Sequence, residues 1–370
     1  MKSLTIITAQ AFTLINFRGS FLKELRNQSV TVHAVAPDFD DDIREQLVEL
    51  GIKTHDIFLN RTKINPVKDF FSFIRMYFLL KKIKSDILLV DRIKPIIYGS
   101  LAGWLAGINH RVAIIEGLGS NFSSVLIKVS YKRKIVNFIV KFLYKISLST
   151  THKVIFLNKD DVNELVDNKI INPKKVEMIG GIGIDLIYWD YFEPQIKPIT
   201  FILCARMLRE KGVEIFANAA REIKKNYPDI RFILLGGLDS NPSALKKEEI
   251  ESWVNEKILE WPGHVPVKDW LKNSSVFVLP SHYREGVPRS TQEAMAMGRP
   301  IITTDSIGCR DTVIDGVNGF LIPIQNEECL IKKIEFFIKN KDQIIKMGKA
   351  SRTLAEERFD ERKKIYEQIR

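Results

Sequence analysis

A chain of 370 residues is longer than one hydrophobic core usually supports and points to two domains. With 45% apolar and 27% charged residues the composition is that of a globular protein. The three scattered cysteines, Cys204, Cys309 and Cys329, exclude a disulfide framework and CxxC metal spacing, as expected for a reducing cytosol. The formal net charge of +11 calls for an anionic partner.

The first fifteen residues are apolar in flavour but interrupted by Gln10 and several threonines, with no small-residue cleavage site after them. They read as a first β-strand rather than a signal peptide. Short β-rich runs follow at residues 4–8, 30–36, 87–90, 112–115 and 154–157, with helix-length segments such as 19–28 and 95–106 between them. This is the rhythm of a parallel α/β sheet. Gly99, Gly103 and Gly107 form a GxxxGxxxG pattern in an apolar segment too short to span a bilayer, so they predict close packing inside the domain.

From Gly117 to Lys159 there is no acidic residue. Lys128, Lys132, Arg133, Lys134, Lys141 and Lys145 alternate there with apolar residues from Leu126 to Leu143. A basic amphipathic stretch suits an anionic membrane surface. The plainer reading is a buried helix pair with solvated lysines. Nucleic acid is disfavoured, because the segment has few aromatics for stacking and no recognisable binding motif.

The rhythm pauses at residues 189–198, bracketed by Pro194 and Pro198. It resumes with runs at 199–204, 231–235, 276–279 and 300–303. Two Rossmann-like halves are expected, residues 1–187 and 188–370, with the last helix packing back on the first. Ligands of such sheets bind outside the carboxyl ends of the strands, here expected in a cleft between the halves.

In the second half, Arg206 follows one strand and Lys211 precedes the next helix, placed to clamp a diphosphate by fork and point charge. Gly236 and Gly237 permit close backbone approach. Gly263, His264 and Val265 read as a loop that either holds a base or simply faces solvent. The densest signal runs from Arg284 to Glu293, after the apolar run Val276 to Leu279 and Pro280-Ser281. Pro288 suits the first helical position, and the helix is expected to stop at Gly298. Such a strand-loop-helix junction points N–H groups at an anion. Its two carboxylates, Glu285 and Glu293, then either meet hydroxyl-rich groups beside a diphosphate or make helix-end salt bridges.

The segments ARMLREKG, LLGG, WPGHV, LPSHYREGVPRSTQEAMAMGRPIITTD and GVNGFLIP resemble the retaining GT-B glycosyltransferases of family four. INFRGSFLKEL, RTKINP, IKPIIYGSLAGWLAG and IIEGLGSNF resemble its bacterial members that build O-antigen or capsule units on a polyprenyl-diphosphate lipid. The resemblance implies a GT-B fold and sugar transfer from a nucleotide-sugar, expected to be UDP-linked. The acceptor would be a polyprenyl-diphosphate-linked saccharide at the cytoplasmic face of the bacterial plasma membrane. It implies that Arg206 and Lys211 bind the donor diphosphate and that Glu293 holds the ribose. Glu285 would face the donor sugar, with the backbone of Gly286, Val287 and Pro288 alongside.

Many members place a histidine near the acceptor, whereas this chain has Glu116-Gly117-Leu118-Gly119 in that region. Glu116 then either orients or deprotonates an acceptor hydroxyl, or is a structural carboxylate at a strand end. Arg18, Gly19 and Lys94 are candidates for the acceptor diphosphate, with Gly117 and Gly119 nearby. Asp38-Phe39-Asp40 and Asp40-Asp41-Asp42 mimic the metal-binding DxD of the other glycosyltransferase fold, but they precede a helix pattern at residues 43–50. No essential metal is expected, since Arg206, Lys211 and a helix N-terminus offset the leaving charge. A nucleotide-sugar 2-epimerase on the same fold and a non-catalytic basic membrane-binding protein are the alternatives.

Overall fold

The computed structural model describes residues 2–59, 65–119 and 131–369, without the side chains of 131–134, 366, 368 and 369. The chain divides into two compact units, Met1–Ile179 with Ile365–Arg370, and Gly180–Lys364. The boundary expected at 187/188 lies a few residues beyond this division.

The first unit holds seven parallel strands: β1 (Ser3–Ile7), β2 (Thr31–Ala36), β3 (Lys53–Asp56), β4 (Ile87–Asp91), β5 (His110–Ile115), β6 (Lys153–Phe156) and β7 (Val176–Met178). Their order in the sheet is β3-β2-β1-β4-β5-β6-β7. The helices are α1 (Phe12–Asn16), α2 (Gly19–Asn27), α3 (Asp41–Glu49), α4 (Pro66–Ile83), α5 (Ser100–Leu105), α6 (Tyr131–Ser149) and α7 (Lys159–Asp167). A π-helical turn at Pro95–Gly99 leads into α5. Beside β4 a Cβ on Gly99 would lie 2.9 Å from Val90 and one on Gly103 only 2.3 Å from Leu88. The first two glycines therefore let the Pro95–Leu105 segment lie against β4, whereas Gly107, at φ +80° after α5, has nothing within 4 Å of a Cβ and packs against no neighbour.

The acidic triplet has a local use. Asp40 caps α3 by accepting the Ile43 N–H at 2.8 Å, and Asp38 accepts from the Ala11 N–H at 2.7 Å. Neither carboxylate is part of a metal-like cluster among the described residues.

The second unit holds six parallel strands: β8 (Thr200–Cys204), β9 (Arg231–Leu235), β10 (Glu260–Gly263), β11 (Val276–Leu279), β12 (Ile301–Thr304) and β13 (Gly319–Ile322). Their order is β10-β9-β8-β11-β12-β13. The helices are α8 (Val213–Asn226), α9 (Lys247–Asn255), α10 (Lys268–Lys272), α11 (Arg289–Ala296), α12 (Glu327–Lys339), α13 (Lys341–Arg358) and α14 (Glu361–Ile369). Every β8 and β11 residue is buried, because central strands of a parallel sheet are covered on both faces. Within this core Phe232 stacks on Phe201 and meets Phe216 edge to face, with ring centroids 5.4 and 5.6 Å apart.

All nine expected strands are present to within two residues at their ends. The four not anticipated, β3, β7, β10 and β13, are the edge strands of the two sheets. Gly263 is the last residue of β10 rather than a loop residue, and Pro288 is the cap before α11 rather than its first residue. Among the described residues no helix is long and apolar enough to cross a membrane.

Candidate functional site

In each unit the strand order reverses direction once, between β1 and β4 and between β8 and β11. Loops diverge at such a switch point and leave a crevice at the carboxyl ends of the strands. The predicted residues of the second unit gather there. Lys211, after β8, donates to the Glu285 carboxylate after β11, and both side chains are nearly enclosed. The Lys211 ammonium also lies 5.2 Å from the centre of the Tyr283 ring, a cation–π contact.

The two loops are tied along their backbones. The Glu210 carbonyl accepts from the His282 and Tyr283 N–H groups at 2.9 and 3.1 Å and from Ser281 Oγ at 3.2 Å. Ser281 Oγ lies 3.3 Å from Glu285 Oε1. From below, the Ser281 carbonyl accepts from the hydroxyls of Thr304 and Ser306 at the end of β12. Gly308 closes the back of the loop at φ +80°, where a Cβ would lie 2.2 Å from the Gly286 carbonyl oxygen. Only glycine fits against this turn. Cys309, buried beside Glu285, has its thiol pushed up to about 11 by burial first and by that carboxylate second.

Further strand ends complete the rim. Arg206 pairs with Asp239 at 2.9 Å. The Met207 N–H donates to the Gly237 carbonyl at 3.2 Å, and the Gly236 N–H to Gly263 at 2.9 Å. Gly237 lies directly against His264, since a Cβ on it would be 3.4 Å from the histidine's own Cβ. The loops after β8, β9 and β10 are thus sewn side by side, with Val265 next in the chain. Gly286, Val287 and Pro288 lead into α11, whose first turn offers N–H groups that have no intrahelical partner.

Glu293, one turn into α11, accepts from Arg289 Nε at 2.9 Å. Burial raises its carboxyl above the usual range, with Arg289 opposing. It lies close enough to the buried Cys204, the last residue of β8, to help raise that thiol after burial has done so. Glu293 therefore belongs to the same strand ends as Arg206. Sequence reasoning missed Ser281, Tyr283, Asp239 and Gly308. The signal for Gly308 was a lone glycine after β12, which spacing alone does not separate from an ordinary turn.

The first unit builds a charge cluster at its own switch point. Arg18 Nε donates to Asp91 Oδ2 at 3.0 Å and its Nη2 to Glu116 Oε1 at 2.6 Å. Arg92 reaches the other Glu116 oxygen at 3.0 Å. Arg18, expected to meet an acceptor diphosphate, is instead only 2% exposed. Its guanidinium holds Glu116 and Asp91 in place rather than offering charge at the surface. Asp91 is raised, first by burial and then by Glu116, with Arg18 opposing. Lys94 pairs with Asp69 at 2.7 Å, and burial with Asp69 nearby pushes the Tyr98 hydroxyl up to about 12.

Gly19 starts α2 with open space above its Cα, and Gly117 and Gly119 take φ values of +129° and +62° beside Glu116. Asp91 and Arg92 were missed, although a carboxylate closing the apolar run of β4 is itself a signal. Of the basic stretch, Lys128 and the side chains of Lys132, Arg133 and Lys134 lie outside the described residues. Lys141 pairs with Glu164 at 3.1 Å.

Two parallel Rossmann-like sheets define a GT-B fold. It is shared over the whole chain by a glycosyltransferase from Rickettsia africae, with a TM-score of 0.77, 18% identity and 97% of that chain covered. The Anabaena HepE protein, solved in complex with UDP, gives a TM-score of 0.76 at 16% identity, with 98% of it covered. Residues 192–354 match the family described as glycosyl transferases group 1, and residues 5–158 the glycosyl transferase 4-like family. The chain is 28% identical to the Campylobacter jejuni N,N'-diacetylbacillosaminyl-diphospho-undecaprenol alpha-1,3-N-acetylgalactosaminyltransferase, covering 91% of this chain and 89% of the relative. It is 30% identical to the Escherichia coli UDP-Gal:alpha-D-GlcNAc-diphosphoundecaprenol alpha-1,3-galactosyltransferase, covering 73% and 71%. The chain belongs to the group 1, family-four-like glycosyltransferases.

Proposed function

We propose that this glycosyltransferase moves a hexose or N-acetylhexosamine, with retention of configuration, from a UDP-linked donor to a lipid-linked acceptor. The acceptor is a hydroxyl of a saccharide carried on a polyprenyl diphosphate, in the synthesis of a surface polysaccharide such as O-antigen or capsule. The observation that carries the reading is the Lys211–Glu285 pair spanning the β8/β11 switch point, with the N-terminus of α11 beside it. The names of the Campylobacter and Escherichia relatives support the donor and acceptor classes.

In this reading Arg206, Lys211 and the first turn of α11 offset the charge of the departing diphosphate without a metal. Glu293 takes the ribose hydroxyls, and Gly237, His264 and Val265 frame the base. Glu285 lies along the donor sugar. The bond from the sugar's anomeric carbon to the diphosphate breaks, the acceptor oxygen bonds that carbon on the same face, and the hydroxyl's proton passes to the departing diphosphate oxygen. Glu116, aligned by Arg18 and Arg92, accepts the acceptor hydroxyl's hydrogen bond. The basic stretch rests on the anionic inner face of the plasma membrane, where such an acceptor resides.

A panel of nucleotide-sugars with polyprenyl-diphosphate-linked saccharides, read by mass spectrometry of the lipid product, tests this. A product extended by one sugar with retained configuration is expected. Donor hydrolysis or epimerisation without transfer to any acceptor would overturn it.

A further inference from the structure

Helix α4 has two faces. Ser72, Met76 and Leu80 are buried against the sheet. On the other side Phe70, Phe71 and Phe78 are 59%, 61% and 62% exposed. Three phenylalanines bared on one helix are unusual for a protein surface facing only water. They recur at helical spacing, with Val67 and Ile74 completing a stripe along the axis.

Helix α6 repeats the arrangement. Val140, Tyr144 and Leu148 face the core, while Phe138, Ile139 and Phe142 are exposed. Both helices pack against the Pro95–Leu105 segment, and their inner residues join one core cluster on a single face of the sheet. Their outer faces therefore point the same way, away from the sheet. Together with α5 they carry more than half of the exposed large apolar side chains among the described residues.

The charges that α4 and α6 themselves expose have one sign, although Lys141 of α6 is paired with Glu164 of α7. Lys68, Arg75, Lys81 and Lys82 are exposed on α4, and Lys145 on α6. The single acid of α4, Asp69, is buried and paired with Lys94. Helix α6 contains no acid. A second copy of the chain would press these cations against an identical set. An anionic lipid surface complements them and takes up the rings at the boundary between headgroups and acyl chains.

We infer that α4 is a second membrane-docking element, which with α6 seats the N-terminal unit on an anionic bilayer through a shared face of phenylalanines rimmed by lysine and arginine. This deepens the proposed lipid-linked acceptor and rests on it for its purpose, though the binding itself is measured independently. The division of labour follows from the chemistry. The basic residues of the α6 stretch supply an attraction that salt screens, whereas the α4 rings supply an apolar contribution that salt leaves in place.

The test uses the full chain and vesicles of phosphatidylglycerol mixed with phosphatidylcholine. Phe70→Ser/Phe71→Ser/Phe78→Ser is expected to lower vesicle partitioning on the order of tenfold or more. The loss should persist at about 0.5 M salt, where the Debye length falls to a few ångströms. Thermal unfolding and transfer to a water-soluble short-chain acceptor should be unchanged. In a separate variant, Phe71→Trp should give a blue-shifted emission on adding the vesicles. Unchanged partitioning of the triple variant, or an unshifted Phe71→Trp emission, overturns the inference. So does a wild-type dimer that the triple variant dissolves. If the wild type transfers sugar to no acceptor while the triple variant still loses vesicle binding, the docking face stands and the transferase specificity falls.

Discussion

The Lys211 ammonium donates to the Glu285 carboxylate across the one place in the second sheet where the strand order reverses. The cation comes from the loop after β8 and the carboxylate from the loop after β11, so neither is positioned without the other. If they act as a unit on the departing diphosphate and its sugar, their losses will not add. Lys211→Met and Glu285→Gln should each lower kcat/KM by about 10²–10³-fold, the scale for removing one preorganised electrostatic contact. The double variant should be little worse than either single one. A steady-state double-mutant cycle on transfer checks this, and fully additive losses would show two independent roles.

Gly308 is bound to the same loop by sterics. Its φ of +80° and a Cβ position 2.2 Å from the Gly286 oxygen leave no room for a side chain without moving Gly286 and Glu285. Gly308→Ala should destabilise the protein by roughly 1–3 kcal/mol through left-handed strain and the displaced backbone. Activity should fall by more than the folded fraction explains, because the Glu285 carboxylate moves with its backbone. Chemical denaturation paired with kcat/KM at a temperature where the variant is folded separates the two effects.

The central strands and both switch-point loops were legible in the sequence, and the edges were not. β8, β9 and β11 are continuous apolar runs because both of their faces are covered. β3 reads Lys-Thr-His-Asp and β10 reads Glu-Trp-Pro-Gly, and both lie at a sheet edge where solvent relaxes the pattern and proline is tolerated. Arg206, Lys211, Glu285 and Glu293 could be named because each stands at a strand end or a helix start. Their partners Asp239, Tyr283 and Gly308 arrive from loops whose neighbours depend on the sheet order. The role expected of Arg18 missed for the same reason. A basic residue in a βα loop reads as an anion contact until β4 and β5 bring Asp91 and Glu116 against it.

Burial raises the Glu293 carboxyl, so the folded protein binds that proton more tightly than the unfolded chain does. The sign follows from linkage. The folded state is favoured at low pH, and stability falls as pH rises from the unfolded carboxyl value through the higher folded one. Glu293→Gln removes a charge that is costly to bury, so the variant should melt no lower than the wild type at neutral pH. The proposed ribose contact is lost at the same time. Donor binding should weaken by about 10–100-fold, the usual range for a hydrogen bond to a charged group. Calorimetry of UDP binding beside thermal unfolding reads both, and a variant that loses stability and keeps UDP affinity would assign Glu293 to the scaffold.

Arg18 and Asp91 form the corresponding pair in the first unit, with both side chains 1% exposed. Here burial outweighs the attraction, since Asp91 is raised despite the guanidinium 3.0 Å away. A pair of this kind contributes little net stability, yet removing one member leaves the other charged and enclosed. Arg18→Met should therefore cost about 3–5 kcal/mol in urea unfolding, because it strands Asp91 and releases one oxygen of Glu116. Arg18→Met/Asp91→Asn should recover a large part of that loss. Glu116, having lost its Arg18 contact while keeping Arg92, would be less well aligned. Transfer by the double variant should show a raised KM for the acceptor with donor affinity unchanged, since the residues proposed for the donor lie in the other unit. Recovery of stability without recovery of acceptor KM is the outcome expected of a positioning arginine. Full recovery of both would reduce the cluster to a structural ion pair.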